Sequence, residues 1–286
     1  MARIVKKEVL NDEVIRFTIK SPDIARRAKP GQFIILRIDE RGERVPFTIS
    51  DTSEDGNVSI IVQVVGGTTM RMKNLEEGDG FLDFVGPLGN PTELDGYEGK
   101  NVCVIGGGLG TAIAYPQAKY LNKVGANVDV IMGFRNKDII ILEDELKNSC
   151  DNLYIITDDG SNGRKGFVTD ILKENIENGK KYDLVIAIGP LIMMKNVAKI
   201  TKEHDIYTIV SMNSIMVDGT GMCGCCRLTY DGEMKFACVD GPDFDASKVD
   251  FDEAMARARM YRQQEQLTKE KAHKCNLTGE VRNGKI

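Results

Sequence analysis

Residues 101–125 read NVCVIGGGLGTAIAYPQAKYLNKVG, an apolar run, a glycine-rich turn and a helix-forming stretch, and a second apolar run, ANVDVIMGF, fills 126–134. Short continuous apolar runs separated by amphipathic helical stretches are what parallel strands buried on both faces look like. The same alternation continues through LYIITDD at 153–159, a helical span after Gly166, YDLVIAIGP at 182–190, a helix from Leu191 and IYTIVSM at 206–212. The pattern predicts a doubly wound parallel sheet.

The turn Gly106, Gly107, Gly108, Leu109, Gly110, Thr111 follows the first strand and opens its helix. Free N–H groups and the helix dipole favour a phosphate there, and missing Cβ atoms let it approach. Thr111 stands where a full dinucleotide fingerprint has its third glycine, so the location carries more weight than the letters. Polar or glycine-rich loops end two later strands, Asp158 to Ser161 and Gly189 with Pro190, where ligands of open α/β sheets bind. Arg135, after the second strand, suits a 2′-phosphate; with no acid at that strand end, NADH and NADPH are not separated.

Working toward the N-terminus, residues 6–85 hold short β-branched runs, VIRFTIK, QFIILRI, FTIS and VSIIVQVV, divided by turn residues. This predicts an antiparallel barrel, whose closure removes exposed edges. Pro46, Phe47 and Thr48 offer a strand surface for a flat ring, and Gly67, Thr68 and Thr69 offer donors for a pyrophosphate; hairpin turns share these features. The glycines at 96 and 99 mark the expected boundary, giving residues 1–98 to the barrel and 99–212 to the α/β domain.

Beyond residue 212 periodicity is lost. Asp218, Cys223, Cys226 and Cys238 are spaced as four anionic ligands with glycines between them, which suits an iron–sulfur cluster. A carboxylate in place of one thiolate keeps the charge and changes donor softness. Cys225 is then spare, and structural zinc is the competing reading. Residues 213–245 are too polar for a core of their own, so a metal is the expected staple. From Asp250 to Lys274 the spacing of Met255, Ala258 and Tyr261 predicts a helix within a tail of residues 246–286, solvated or docked on a partner.

The chain of 286 residues is 42% hydrophobic and 28% charged, with a formal charge of -5, which argues against nucleic acid as partner. Its two histidines, His204 and His273, leave few ways to build a Ser/His/Asp site or a multi-histidine metal site. Without an apolar run of ~20 residues or a secretory core, a soluble cytoplasmic protein without membrane contact is expected. Cys103, Cys150 and Cys275 are expected to be inert thiols.

Together, VPFTIS, GGGLGTAIAYP, IGPLIMMKNV, VDGTGMCGCCR and FACVDGPDFDASKVDFDEAM resemble the ferredoxin reductase-like family, in particular the small subunits of electron-bifurcating NADH-dependent reduced ferredoxin:NADP+ oxidoreductases. Electron-transfer subunits of NAD-dependent dihydroorotate dehydrogenases are similar in layout, with a cysteine at the position of Asp218. The resemblance implies FAD on the barrel at Pro46, Phe47, Thr48, Gly67, Thr68 and Thr69. It implies NAD(H) at Gly107, Gly108, Gly110, Thr111, Asp158, Gly189 and Met193, and a [2Fe–2S] cluster on Asp218, Cys223, Cys226 and Cys238. No side chain is needed as nucleophile or acid–base catalyst. The family also implies a larger FAD and [4Fe–4S] subunit that binds NADP(H) and exchanges electrons with ferredoxin. One departure stands out: many members have arginine directly before the flavin-strand proline, where this chain has Val45, with Arg44 one residue earlier.

Overall fold

The computed structural model describes residues 2–267 and residue 270. The N-terminal region comprises β1 (Ala2–Asn11), β2 (Val14–Lys20), α1 (Pro22–Arg27), β3 (Phe33–Arg37), β4 (Val45–Thr48), β5 (Asp51–Thr52), β6 (Asn57–Gln63), α2 (Gly67–Met72), β7 (Gly80–Phe81) and β8 (Asp83–Leu88). Its strands pair antiparallel in two sheets, ordered β5-β6-β2-β1-β7 and β4-β3-β8, which form the expected barrel. The period of two in β2 shows why: Ile15, Phe17 and Ile19 are buried while Arg16 and Thr18 face outward. Ile34, Leu36, Ile60, Met72 and Phe81 complete that core.

The α/β region runs through β9 (Asn101–Gly107), α3 (Thr111–Lys123), β10 (Asn127–Phe134), α4 (Glu143–Lys147), β11 (Asn152–Thr157), α5 (Val168–Glu177), β12 (Leu184–Ile188), α6 (Leu191–Glu203) and β13 (Thr208–Ser211). Five parallel strands lie in the order β11-β10-β9-β12-β13. Val102 and Val104 of β9 face the cluster formed with α3, while Cys103 and Ile105 face that formed with α5 and α6. Strand order reverses at β9, with β10 on one side and β12 on the other. The glycine-rich turn leaves the carboxyl end of β9, so it occupies the switch point where such sheets open a crevice for ligand.

The rest of the described chain adds a hairpin, β14 (Arg227–Tyr230) and β15 (Glu233–Phe236), then β16 (Asp243–Asp245) and α7 (Phe251–Arg257). β16 pairs antiparallel with β13 and becomes a sixth strand of the large sheet. Cys226, Leu228, Ala237, Cys238, Phe244 and Phe251 share one apolar cluster with Phe33 and Ile35 of the barrel and Val185 and Ala187 of the sheet. A borrowed core therefore holds this segment in addition to any metal.

The terminal helix is shorter than its spacing predicts. α7 ends at Arg257, turns fill 258–261, and helix resumes over 262–267. Phe251 and Ala254 find the core, whereas residues 258–267 are all exposed, so little packing supports a longer helix. The expected continuation to Lys274 lies outside the described residues, as do His273 and Cys275. Among the described residues no helix is long and apolar enough to cross a membrane.

Candidate functional site

The nucleotide turn is locked by close approach. A Cβ on Gly110 would meet the Ile188 carbonyl oxygen at 2.3 Å, and one on Gly107 would meet Met193 Sδ at 2.5 Å. The sheet thus brings Gly107, Gly108, Gly110, Thr111, Gly189 and Met193 to one place, because the loops after β9 and β12 abut. Gly108 adopts φ +55, and the space a Cβ would enter there is open. Thr111 is fully buried at the start of the 13-residue α3, and its Oγ1 has no hydrogen-bond partner among the described residues. An open cradle over a helix N-terminus fits a dinucleotide phosphate. Asp158 is exposed at the end of β11, two strands and so about 10 Å from the turn. Arg135 is also exposed and lies 3.8 Å from Glu13.

On the barrel, β4 lies beside β3, with Pro46 opposite Ile35 and Phe47 opposite Ile34. All four β4 residues are half-buried, so the strand keeps a surface for a ring. Thr68 Oγ1 donates to Glu43 Oε2 at 2.6 Å, so its hydroxyl proton is engaged by a carboxylate. Thr69 behaves differently from expectation: its Oγ1 accepts the N–H groups of Val65 and Gly66 and closes the turn before α2. The open space beside Gly66 leaves the turn accessible. An accessible turn opening α2, next to a half-buried strand, fits a flavin nucleotide.

The cysteine loop is built on polar contacts. Asp218 accepts from Met222 N at 3.0 Å, Thr220 N at 2.9 Å and Thr220 Oγ1, and these bonds, the Met222 one foremost, hold its carboxyl below the usual range. The Cys225 N–H, foremost, with those of Asp218 and Val217, lowers the exposed Cys223 thiol. Burial pushes the Cys238 thiol up to about 12, and the adjoining Cys226 thiol adds to the rise; both residues are 2% exposed. Thiols buried in this way ionise readily only beside a cation, which iron supplies, and N–H groups aimed at sulfur are what a cluster sulfur accepts. The donor set therefore fits an iron–sulfur cluster. The thiols fall into two contacting pairs, Cys226 with Cys238 and Cys223 with Cys225. Among the described residues no three His, Cys, Asp or Glu side chains are grouped to hold one metal ion. Cys103 is buried in β9, and burial raises the half-buried Cys150 to about 11, the environment of an unreactive thiol.

Two arrangements escaped sequence reasoning. Arg44 reaches the cysteine loop, where Nε donates to Val217 O at 3.2 Å and Nη2 to Asp218 O at 3.4 Å. Its offset from the family's arginine was the one available signal. Asp243 of β16 takes hydrogen bonds from Thr92, on the segment after β8, and Gln117, on α3, and stands opposite Ser211 of β13. Burial raises its carboxyl to about 6. Positions 92, 117, 211 and 243 share no local pattern that could have announced this junction.

Comparison with known proteins agrees with this geometry. Residues 1–79 match the FAD-binding domain family, and residues 213–250 match the iron–sulfur cluster binding domain of dihydroorotate dehydrogenase B. An uncharacterized protein from the adh 3′ region of Clostridium beijerinckii is 50% identical, over 93% of this chain and 92% of its own. A Thermotoga maritima homolog of the dihydroorotate dehydrogenase B (NAD(+)) electron transfer subunit is 47% identical over 94% of each chain. A chain from the structure of NADH-dependent reduced ferredoxin-NADP oxidoreductase, solved for insight into flavin-based electron bifurcation, superimposes with a TM-score of 0.89. It is 46% identical, over 95% of this chain and 97% of that one. Barrel, switch-point turn and cysteine loop together define a flavin and iron–sulfur electron-transfer subunit. The chain belongs to the ferredoxin reductase-like family that includes the dihydroorotate dehydrogenase B electron-transfer subunits. It is an oxidoreductase subunit for FAD, an iron–sulfur cluster and NAD(H).

Proposed function

We propose that this chain is the small subunit of an electron-bifurcating NADH-dependent ferredoxin:NADP+ oxidoreductase. The likeness to the bifurcating enzyme's chain, 46% identity with a TM-score of 0.89 across nearly the full length, carries the reading. When bound, FAD exchanges an electron pair with NAD(H) and single electrons with a [2Fe–2S] cluster. The chain's own residues bind and orient. Gly107, Gly108, Gly110 and Thr111 cradle the dinucleotide phosphates, and Gly189 and Met193 wall the crevice beside them. Asp158 borders it from the end of β11. Pro46, Phe47 and Thr48 support the flavin ring, while Gly67, Thr68 and Thr69 form its phosphate turn. Asp218, Cys223, Cys226 and Cys238 hold the cluster. The units that do this are residues 1–98, 99–212, 213–245 and a tail of 246–286, in the cytoplasm.

The electron outlet is a larger FAD and [4Fe–4S] subunit that binds NADP(H) and serves ferredoxin. Supporting this, Met222 is 86% exposed beside Cys223, and Ile215, Val217, Met260 and Tyr261 are exposed nearby, an apolar surface of the kind partners cover. A second reading, electron transfer to a dihydroorotate-oxidising subunit, is favoured by the 47% identical relative of that description. Native purification under anaerobic conditions separates them. A co-purifying subunit that couples NADH and reduced ferredoxin to NADP+ reduction is expected; a dihydroorotate-oxidising partner, or a lone monomer with full ferredoxin-linked activity, would overturn the first reading.

A further inference from the structure

Arg44 lies immediately before β4, where a flavin-phosphate role would be the simplest assignment. Its guanidinium instead bridges two carbonyls of the cysteine loop, Val217 O and Asp218 O. Nη1 lies 3.6 Å from Asp83 Oδ2, and the same oxygen accepts Arg37 Nε at 2.7 Å. The next loop residue presses on the barrel: a Cβ on Gly219 would stand 2.7 Å from Ile35 Cγ1 and 3.2 Å from Leu88 Cδ1. Arg44 is thus a polar tie beside a steric one, both joining the flavin barrel to the residue offered as a cluster ligand.

We infer that Arg44 is a positioning residue that fastens the Asp218 loop to the flavin strand and keeps a positive charge beside the cluster. The charge follows from the local count. Arg37 and Asp83 cancel, so Arg44 leaves one net cation against the loop. A cluster held by three thiolates and a carboxylate is anionic and gains further negative charge on reduction; a nearby cation favours the reduced form. The planar fork can bridge two carbonyls at once, whereas a lysine ammonium supplies charge without that geometry. The inference rests on reading Asp218 as a ligand.

The full chain, with its native partner, is prepared anaerobically as Arg44→Gln and Arg44→Lys. FAD, iron and acid-labile sulfide are counted, and the cluster's EPR signal and midpoint potential are measured. Both variants are expected to retain FAD. Arg44→Gln should shift the cluster midpoint downward, and Arg44→Lys should restore the midpoint while leaving the EPR signal altered. Loss of iron from Arg44→Gln with FAD retained also supports the tie, and Arg44→Lys then provides the potential. Loss of FAD with an unchanged cluster midpoint would overturn the inference and make Arg44 a flavin-phosphate residue; so would wild-type potentials and spectra in both variants. Asp218→Ala serves as a separate control. If it keeps its iron, the ligand reading fails, whereas the Arg44 shifts still report whether the tie exists.

Discussion

The glycine turn at 106–111 and the cysteine loop at 217–226 are both ligand sites on turns, yet opposite forces hold them. The turn is wedged between β9, α3 and the loop after β12, with Gly110 against a backbone carbonyl and Thr111 and Ala112 in the core. The loop hangs on hydrogen bonds to Asp218, to Cys223 and from Arg44, and its crest, Met222 and Cys223, is exposed. Packing forms the first site ahead of any ligand. The second draws only part of its order from packing and needs metal bonds for the rest.

The sharpest way to break this contrast is at Gly110. A Cβ there would face Ile188 O at 2.3 Å, backbone against backbone, so neither side can swing away. Gly110→Ala is expected to cost about 3 kcal/mol, read as a lower thermal midpoint together with lost NADH binding. A wild-type midpoint would show that the turn is as pliable as the loop.

Next in size are the cluster ligands. Asp218→Ala is expected to lose most of its iron and cluster absorbance, and Cys225→Ala to keep both. The Cys223–Cys225 contact makes this a demanding test, since it pairs the expected spare thiol with an expected ligand. Chelation of iron should raise hydrogen exchange at 217–226 and leave the amides of 106–111 protected. Equal changes in both segments would abolish the distinction.

A third, smaller effect concerns the junction that joins the two regions. Asp243 titrates at about 6 because burial disfavours its charge. Its folded value is above that of the unfolded chain, so the native state binds the proton more tightly. This contribution to stability is fully present below the ordinary carboxylate value, declines as pH rises toward about 6 and is absent above it. The decline amounts to about 2 kcal/mol between pH 4 and pH 7. Asp243→Asn should flatten the denaturation profile over that range; an unchanged slope would assign the pH dependence elsewhere.

The contrast also decides what the amino-acid order could disclose. The β9–α3–β10 unit and the start of α6 at Leu191 are legible because apolar runs, glycines and Gly189-Pro190 act locally. The cysteines are legible as metal ligands because their spacing is itself the chemistry. Arg44 with Asp218, and Thr92 and Gln117 with Asp243, are contacts between residues at least 126 apart, and nothing local encodes them. The shortened α7 has the same origin. Its helical spacing is real, but the core it could cover ends at Ala254.

The smallest expected change lies two residues from the largest. Gly108 differs from Gly110 in having open space about its missing Cβ and a left-handed φ of +55. Gly108→Ala therefore meets no atom of the chain and costs only the backbone preference, about 1 kcal/mol. The added methyl group would project into the cradle where the dinucleotide phosphates are placed. NADH affinity should accordingly fall by more than the stability loss accounts for, whereas Gly110→Ala loses binding because the fold itself gives way. Measuring the thermal midpoint and the NADH dissociation constant on both variants separates a position that shapes the ligand's space from one that shapes the protein. Equal ratios of binding loss to stability loss at 108 and 110 would mean that the open face of this turn does not receive the nucleotide.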